Sequence, residues 1–315
     1  AKAQVLLGQI EVALKNFEHA ESLLDEGIQG FMKNNADYTY WLADAFYSKA
    51  RLSAETKDSL KARSYFEKSE AYYKASLGNY FDENYLDFTI NASNFFARTG
   101  DQDKALAMAN QALDYIRKNQ GEKTLLEYYQ LLNLSDIYDQ TKDYDQALLY
   151  CNKALELINS ADFIKTTKLN TLIVESHKIS AILKKVEIDL KLNDHKDEDF
   201  LKAQLSDIKE AIRFLENQRS VITSESSTAL LIQDNAGVFN TAKLLTLQLY
   251  QLTNQEEYLQ ELLGYHESMI YYRIRSRLNS RSAQLTANLP EDVLNKEKEL
   301  KDRLNGFLDE QTTMD

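Results

Sequence analysis

The feature that most limits how this chain can fold is a helical pattern that returns about every 42 residues. Segments that begin at residues 14, 100 and 142 share one order of a turn, an alanine and apolar residues at helical spacing. A fourth segment contains Ala62, so the equivalent alanines are Ala20, Ala62, Ala105 and Ala147, spaced 42, 43 and 42 residues apart. Because a fixed period of this length is the signature of stacked structural repeats, the pattern predicts a repeat array.

The low content of turn-forming residues indicates that the repeats are built from helices. The 315 residues include only 1 Pro and 9 Gly, whereas average usage would give about 16 and 22. Sandwiches, barrels and doubly wound sheets need these residues at their turns. Upstream of the fourth turn, Leu131, Leu134 and Tyr138 lie at i, i+3 and i+7, so each repeat is predicted to hold two amphipathic helices. The expected fold class is all-α, with about 13 helices and negligible strand.

The positions of small and large residues within a unit resemble those of the tetratricopeptide repeat family, whose period is about 34 residues. In the fourth unit the family pattern falls on Leu131, Leu134, Ser135, Tyr138, Lys142, Tyr144, Ala147, Cys151 and Ala154. The longer period is similar to that of kinesin light chains and many bacterial regulators. The resemblance implies a right-handed α-solenoid of about six helix pairs plus a C-terminal helix, since small residues let paired helices cross closely.

The regularity of the pattern changes along the chain. Residues 1–160 are predicted to hold the regular repeats. Their units are expected at about 1–34, 43–76, 86–119 and 128–161. Residues 161–289 are predicted to form longer, degenerate helical repeats, in which 161–192 is one long helix and Ala203 marks a fifth unit. Residues 290–315 are predicted to be a linker helix, because proline and acidic residues suit its first turn.

Two segments near the C-terminus carry a second resemblance. Residues 264–278 (GYHESMIYYRIRSRL) and 289–304 (LPEDVLNKEKELKDRL) are similar to the last repeat helix and the linker helix of CHAT peptidases, which are caspase-like peptidases associated with tetratricopeptide repeats. The resemblance implies that the chain is the regulatory arm of a larger bacterial protein, with a peptidase domain following in cis. The sensory arm of a bacterial histidine kinase, or of another signalling protein, is the alternative. A hydrolase that is active by itself is the alternative of another class.

Nothing in the sequence predicts catalysis, a cofactor or a metal site. The 9 Gly form neither a dinucleotide fingerprint nor a P-loop. The only cysteine, Cys151, falls where a repeat packs between helices, so it is expected to be a small buried hydrophobe. The four histidines, His19, His177, His195 and His266, include no pair at the i, i+4 spacing of a helical metal site. A binding scaffold is therefore expected rather than an enzyme.

Charge and hydropathy narrow the range of partners. The formal net charge of −12 opposes binding to a phosphate backbone, so nucleic acid is not an expected partner. No apolar run approaches the ~18 residues of a membrane-spanning helix, and no signal peptide is visible at the start. A single cysteine fits a reducing compartment. We expect a cytoplasmic chain that binds a protein or peptide.

The first helix of each tetratricopeptide unit lines the concave face of the family's solenoid, and this register gives candidate binding residues. They form a mixed polar and aromatic strip of the kind that holds an extended peptide or a helix. The candidates are Tyr47, Arg51, Asp87, Asn94, Arg98, Tyr129, Asp136 and Gln140. Asp44, Ile90 and Leu132 occupy equivalent positions. The alternative for this strip is an unselective solvated face.

A row of arginines near the C-terminus is a second candidate surface. Arg273, Arg277 and Arg281 are spaced i, i+4 and i+8, so on one helix they form a basic stripe. Such a stripe in an acidic protein is interpreted either as a docking surface for an acidic partner or a following domain, or as an ordinary charged face.

Overall fold

The structure is a computed structural model that describes residues 1–34, 36–78, 80–222, 225–268 and residue 296. Within these residues every regular element is an α-helix and no strand occurs, which confirms the predicted fold class. The helices are α1 Lys2–Ala13, α2 Phe17–Met32, α3 Thr39–Glu55, α4 Ser59–Leu77, α5 Glu83–Arg98, α6 Gln102–Asn119, α7 Leu125–Gln140, α8 Tyr144–Asn159, α9 Ala161–Thr167, α10 Thr171–Leu192, α11 Glu198–Val221, α12 Glu225–Asp234 and α13 Ala236–Thr253. Residues 256–268 are also helical.

The predicted repeat register is visible in the backbone. The residues that separate the two helices of each unit adopt a left-handed conformation, with φ of 63°, 63°, 85° and 63° at Lys15, Lys57, Gly100 and Lys142. Each of the four predicted alanines lies five residues after one of these turns, and all four are fully buried. Because turn and alanine recur together at the same spacing, the repeat of about 42 residues is confirmed.

The chain divides into two compact units, Ala1–Asp143 and Tyr144–Asp315. In the first unit the helices pack as the pairs α1/α2, α3/α4 and α5/α6, and α7 packs on α6. The first helices α1, α3, α5 and α7 also contact one another in that order. An aromatic cluster joins α4 to α5, where the ring of Phe66 lies 4.8 Å from that of Phe95 and 6.1 Å from that of Phe88.

The second unit is less regular than the first. Its helices α10 and α11 have 22 and 24 residues; α10 packs on α8 and α11, and α13 packs on α11. Its core includes Ile179, Val186, Ile208, Phe239 and Leu245. None of the helices in the described part of the chain is both long and apolar enough to cross a bilayer.

The prediction of one continuous helix over 161–192 is wrong. The chain turns at Lys168, whose φ is 53°, and this turn separates α9 from α10. The Asn170 side chain accepts a hydrogen bond of 2.9 Å from the Ile173 N–H and so caps the start of α10. Asparagine at this position satisfies a backbone donor that a continuous helix would bond internally, and this favours a new helix start.

The assignment of Ala203 as the repeat alanine of a fifth unit is also wrong. Ala203 is exposed on α11, whereas Leu201, Leu205 and Ile208 on the opposite side of the helix are buried in the core. The small residue that α11 buries is Ala211. In addition, the short helix α12 comes between α11 and α13.

Candidate binding surface

The candidate residues of the first unit lie on α3, α5 and α7 at equivalent distances from the left-handed turn of each repeat. The residues 13 positions before the turn on each helix form one row across the three helices. The residues 10 and 6 positions before the turn form two further rows. The rows are Asp44, Asp87 and Tyr129; Tyr47, Ile90 and Leu132; and Arg51, Asn94 and Asp136. The successive first helices are in contact, so each row crosses neighbouring helices of one unit.

Tyr47 is a structural link in this surface rather than an exposed contact. Its side chain is buried, and its hydroxyl donates a 2.7 Å hydrogen bond to Asp87 Oδ2 on the next first helix. Its ring meets that of Phe88 edge-on at 5.6 Å. Burial and the neighbouring Asp87 carboxylate raise the pKa of Tyr47 far above its usual value, so the phenol stays protonated and remains a donor. The expectation that this ring touches a partner must therefore be revised.

Two further tyrosines bond to aspartates in the same way. Tyr40 Oη donates to Asp82 Oδ2 at 2.6 Å, and Tyr73 donates to Asp44. Burial raises the pKa of Asp44, and the hydrogen bond from Tyr73 opposes that shift. We call the six residues Tyr40, Asp44, Tyr47, Tyr73, Asp82 and Asp87 the tyrosine–aspartate network.

The sequence pattern did not single out this network as a joint. The signal it offers is a Tyr and an Asp about one repeat apart, 42 residues for Tyr40 and Asp82 and 40 for Tyr47 and Asp87. The same spacing joins α5 to α7, where Asn133 Nδ2 donates to Ser93 Oγ at 3.3 Å, 40 residues away. Buried and partly buried polar groups thus connect consecutive first helices, and these satisfied hydrogen bonds favour one fixed arrangement.

The side chains left at the surface are cationic, amide, phenolic and, at Asp87, acidic. Arg51, Arg98 and Gln140 are exposed, and Tyr129 is 45% exposed. Arg51 lies over the Tyr47 ring, with Cζ 5.8 Å from the ring centroid. Among the described residues the Arg98 side chain makes no hydrogen bond or ion pair, so its guanidinium can bind a carboxylate or a backbone carbonyl of another molecule.

Asn94 and Asp136 are partly buried members of the same row as Arg51. The Asn94 amide donates a 3.3 Å bond to the Ile90 carbonyl of its own helix, which leaves its side-chain oxygen as an acceptor. The surface therefore carries donors and acceptors side by side, an arrangement that suits a peptide backbone.

The remaining candidates are Cys151, a metal site and the arginine stripe near the C-terminus. Cys151 is fully buried, as predicted, and its thiol donates to the Ala181 carbonyl at 3.3 Å. The part of the chain that the structure describes holds no cluster of His, Cys, Asp or Glu suited to a metal ion. The arginine stripe of Arg273, Arg277 and Arg281 and, apart from residue 296, the predicted linker helix at 290–315 lie outside the described residues.

A comparison with known families identifies the repeat. The tetratricopeptide repeat family matches residues 131–160, which include α8 and most of α7. The chain contains a tetratricopeptide repeat region. None of the curated proteins matches the chain in sequence.

Several solved structures have a fold similar to that of this chain. BtubC (BKLC) from P. vanneervenii has a TM-score of 0.56 at 16% identity, over 69% of this chain and 80% of that one. A Podospora anserina protein described as a kinesin light chain with nearly identical TPR-like repeats has a TM-score of 0.54 at 11% identity. The match covers 70% of this chain and 96% of that one. A STAND signal-transduction ATPase from Pyrococcus horikoshii, which has a tetratricopeptide repeat sensor, has a TM-score of 0.53 at 16% identity. The match covers 95% of this chain and 44% of that one.

These likenesses establish an α-solenoid of tetratricopeptide type. Stacked repeats of this kind offer extended binding surfaces built from many units, and each unit contacts only its neighbours. The fold of the repeat region therefore agrees with a protein-interaction scaffold and with the expectation that this chain is not itself an enzyme.

Proposed function

We propose that this chain is a ligand-sensing repeat scaffold, and that the surface shared by α3, α5 and α7 holds an extended segment or a helix of a protein partner. The observation that carries the proposal is the exposure of Arg51, Arg98 and Tyr129 next to a buried or partly buried layer of hydrogen bonds between the helices. Arginine and tyrosine are the residue types that most often dominate the binding energy of protein interfaces.

The layer below the surface supports this role energetically. The hydrogen bonds of Tyr47 to Asp87 and of Asn133 to Ser93 fix the helices that carry the exposed groups. A surface that is ordered before binding loses less conformational freedom when a partner arrives, so more of the contact energy appears as affinity. The STAND protein similar to this chain is described as having a tetratricopeptide repeat sensor, which agrees in kind with a sensing role.

For the larger protein, we propose the regulatory arm of a bacterial, cytoplasmic CHAT peptidase. The resemblance of residues 264–278 and 289–304 to the family's last repeat helix and linker helix supports this assignment. The arginine stripe that includes Arg273 would then lie next to the peptidase and could receive an acidic surface of it. The gene sequence beyond residue 315 tests the proposal: a Cys and His pair supports it, while a membrane helix and a kinase domain would favour a histidine kinase.

Site-specific crosslinking tests the binding surface directly. A photoreactive amino acid in place of Tyr129 should crosslink to a partner in cells, because this side chain lies at the centre of the proposed contact. The same amino acid in place of Leu60, which is exposed on the second helix of its repeat, is the control. Equal crosslinking at both positions, or crosslinking at residue 60 alone, would place the partner elsewhere.

Binding measurements with the crosslinked partner then rank the side chains. Arg98→Ala should weaken binding by about tenfold or more, since truncation of a residue that dominates an interface costs about 2 kcal/mol or more, and about 1.4 kcal/mol is already tenfold in affinity. Lys118→Ala is the matched control, because Lys118 is also an exposed cation but lies on α6, outside the proposed surface. This variant should change the affinity little. Equal affinities for the wild type and Arg98→Ala would remove this arginine from the site.

A further inference from the structure

An exposed aromatic cluster lies where the chain enters α5. Tyr80, in the loop before this helix, is 67% exposed, more than any other tyrosine, phenylalanine or tryptophan among the described residues. The adjacent Phe81 is partly buried, and its ring lies 4.6 Å from the ring of Tyr115 on α6. We call Tyr80, Phe81 and Tyr115 the aromatic patch. Tyrosine is enriched at interfaces because it combines a large apolar ring with a polar group.

Buried residues hold two of the three rings in place. The Phe81 ring lies 4.4 Å from the ring of Tyr85, which is buried. The rings of Phe81 and Tyr115 also pack against a small core cluster, whose members are Leu86, Ala112 and Ile116. Because these rings are ordered before a ligand arrives, binding to them costs little conformational freedom.

Two carboxylates border the aromatic patch. Asp82 and Glu83 directly follow Phe81 at the start of α5. Glu83 is exposed, and its side chain makes no hydrogen bond or ion pair among the described residues. The Asp82 carboxylate accepts hydrogen bonds from two neutral donors, the Tyr40 hydroxyl at 2.6 Å and the Tyr85 N–H at 2.8 Å. In the described part of the chain, neither carboxylate forms an ion pair with a cation.

The phenol of Tyr115 shows that the rings and the carboxylates lie close together. Burial raises the pKa of Tyr115 above its usual value. The Tyr80 hydroxyl and the carboxylates of Asp82 and Glu83 raise it further, because each disfavours another negative charge nearby. The aromatic patch and the two carboxylates therefore form one region of the surface, next to the first turn of α5.

Several other partly buried rings of this protein are covered by a cation of the chain itself. Lys49 Nζ lies 5.0 Å from the centroid of the Tyr65 ring, and Lys153 Nζ lies 4.8 Å from that of Tyr150. No cation of the described residues lies over a ring of the aromatic patch. The patch therefore has the two features that attract a cation, ring faces and nearby carboxylates, but none of the described cations fills it.

We propose that the aromatic patch and Glu83 bind an arginine side chain in a basic segment of a protein partner. A guanidinium that lies flat on the exposed Tyr80 ring can donate N–H groups to the Glu83 carboxylate. Arginine suits this site better than lysine, because the guanidinium is planar, stacks on aromatic rings and is more weakly hydrated than an ammonium. The net charge of −12 favours the approach of a basic segment.

This site differs in charge from the cationic part of the surface on α3, α5 and α7. Glu83 lies in the first turn of α5, whereas Arg98 is the last residue of the same helix. Arg51 and Arg98 attract acidic groups of a partner, while the aromatic patch attracts a basic one. Binding of an arginine at the patch therefore does not require that a partner occupy the surface proposed above.

A titration of the whole chain with N-acetyl-arginine amide tests the proposal. This probe is blocked at both ends, so that only its side chain is charged, as in a peptide segment. Tyr115→3-fluorotyrosine keeps the ring and the hydroxyl and places one fluorine NMR signal in the patch. We expect the signal to shift to saturation with a Kd on the order of 1–10 mM, as for a small ligand that makes few contacts.

Two related probes separate the contribution of charge from that of shape. N-acetyl-citrulline amide has nearly the same shape as the arginine probe but is neutral, and it should bind about tenfold more weakly. N-acetyl-lysine amide should bind with an affinity between the two, because its ammonium is charged but cannot stack flat on a ring.

Variants of the chain assign the parts of the site. Glu83→Gln should weaken binding of the arginine probe by about threefold or more, whereas Glu67→Gln, at an exposed acid on α4, is the matched control and should not. Tyr80→Ala should weaken binding without lowering the melting temperature, since this ring is exposed. Arg98→Ala should leave probe binding unchanged, which separates this test from that of the proposed function.

Three results would overturn the proposal. An absent shift, or equal affinities for the arginine and citrulline probes, would show that the patch does not recognise a guanidinium. Equal effects of Glu83→Gln and Glu67→Gln would remove the carboxylate from the site. Binding that appears only after Arg273→Gln, Arg277→Gln and Arg281→Gln are combined would show that an arginine of this chain, and not of a partner, fills the patch.

Discussion

The two compact units handle buried polar groups in different ways. In the first unit, Gln130 and Asn133 are buried and bonded to Ala109 and Ser93 on neighbouring helices. In the second unit, the side-chain oxygens of Gln204 and Gln248 are buried and have no hydrogen-bond partner among the described residues. An unpaired buried polar atom costs about 1–3 kcal/mol, so the second unit carries a cost that the first avoids.

The difference shows what a regular repeat contributes. When helices recur at one spacing, a polar side chain on one helix finds its partner at the equivalent place one repeat away, as Tyr47 finds Asp87. Where the period is lost, as between α10 and α11, each polar group needs a partner specific to its own position. Regularity therefore makes hydrogen bonding between helices easier to satisfy, in addition to packing.

The largest expected difference concerns the alanines of the register. Ala105→Leu in the first unit should lower the free energy of unfolding by about 1–3 kcal/mol, because the added carbons overpack a fully buried site. Ala203→Leu in the second unit should change it by less than about 0.5 kcal/mol, since that residue is exposed. Denaturant midpoints of the two variants measure the difference. Equal midpoints would mean that the repeat register does not control packing.

Two glycines should respond with opposite signs to one substitution. Gly100→Ala should destabilise the first unit by about 1–2 kcal/mol, because φ at this turn is 85° and a residue with a Cβ is disfavoured in this backbone conformation. The cost is not steric crowding by neighbours, since a Cβ at this position would contact no atom within 4 Å. Gly264→Ala should stabilise the second unit by about 0.5–1 kcal/mol, since Gly264 is helical and has the same free space. Thermal unfolding of both variants checks the signs. A loss at both positions would contradict the backbone explanation.

The smallest effect expected is a pH dependence in the second unit. Burial, with the nearby Asp207 carboxylate, raises the pKa of Asp189, while Lys185 and Gln204 oppose that shift. A raised folded-state pKa means that stability falls as the pH rises through that value. Asp189→Asn should therefore stabilise the chain at neutral pH, and the gain should shrink as the pH falls toward 4, near the ordinary value of an aspartate.

Melting temperatures across this pH range test the pH dependence. Asp194→Asn, at an exposed loop position, is the control and should show no such trend. A gain for Asp189→Asn that stays constant with pH would assign it to packing rather than to charge.

The sequence was sufficient to predict the first unit and less so the second. The spacing of Ala20, Ala62 and Ala105 predicted buried alanines at one register of the first unit, and all are fully buried. That register places the predicted surface residues in rows on α3, α5 and α7. It does not predict which of these residues are exposed to solvent. Tyr47 is buried because its ring packs against Phe88 of the next repeat, where the Asp87 carboxylate accepts a hydrogen bond from its hydroxyl. A pattern of residue types within one repeat cannot show such a partner, which lies 40 residues away.

What the sequence by itself determined is the all-helical fold, the period of the repeats and the positions of their turns, because these depend on local spacing and on backbone preference. The tertiary structure decided which side chains remain available. It made Tyr47 a link between helices, exposed Ala203, and left Tyr80 exposed while the adjacent Phe81 is partly buried. The physical reason is that exposure depends on which helix packs against a residue, and that neighbour is brought in by the stacking of units.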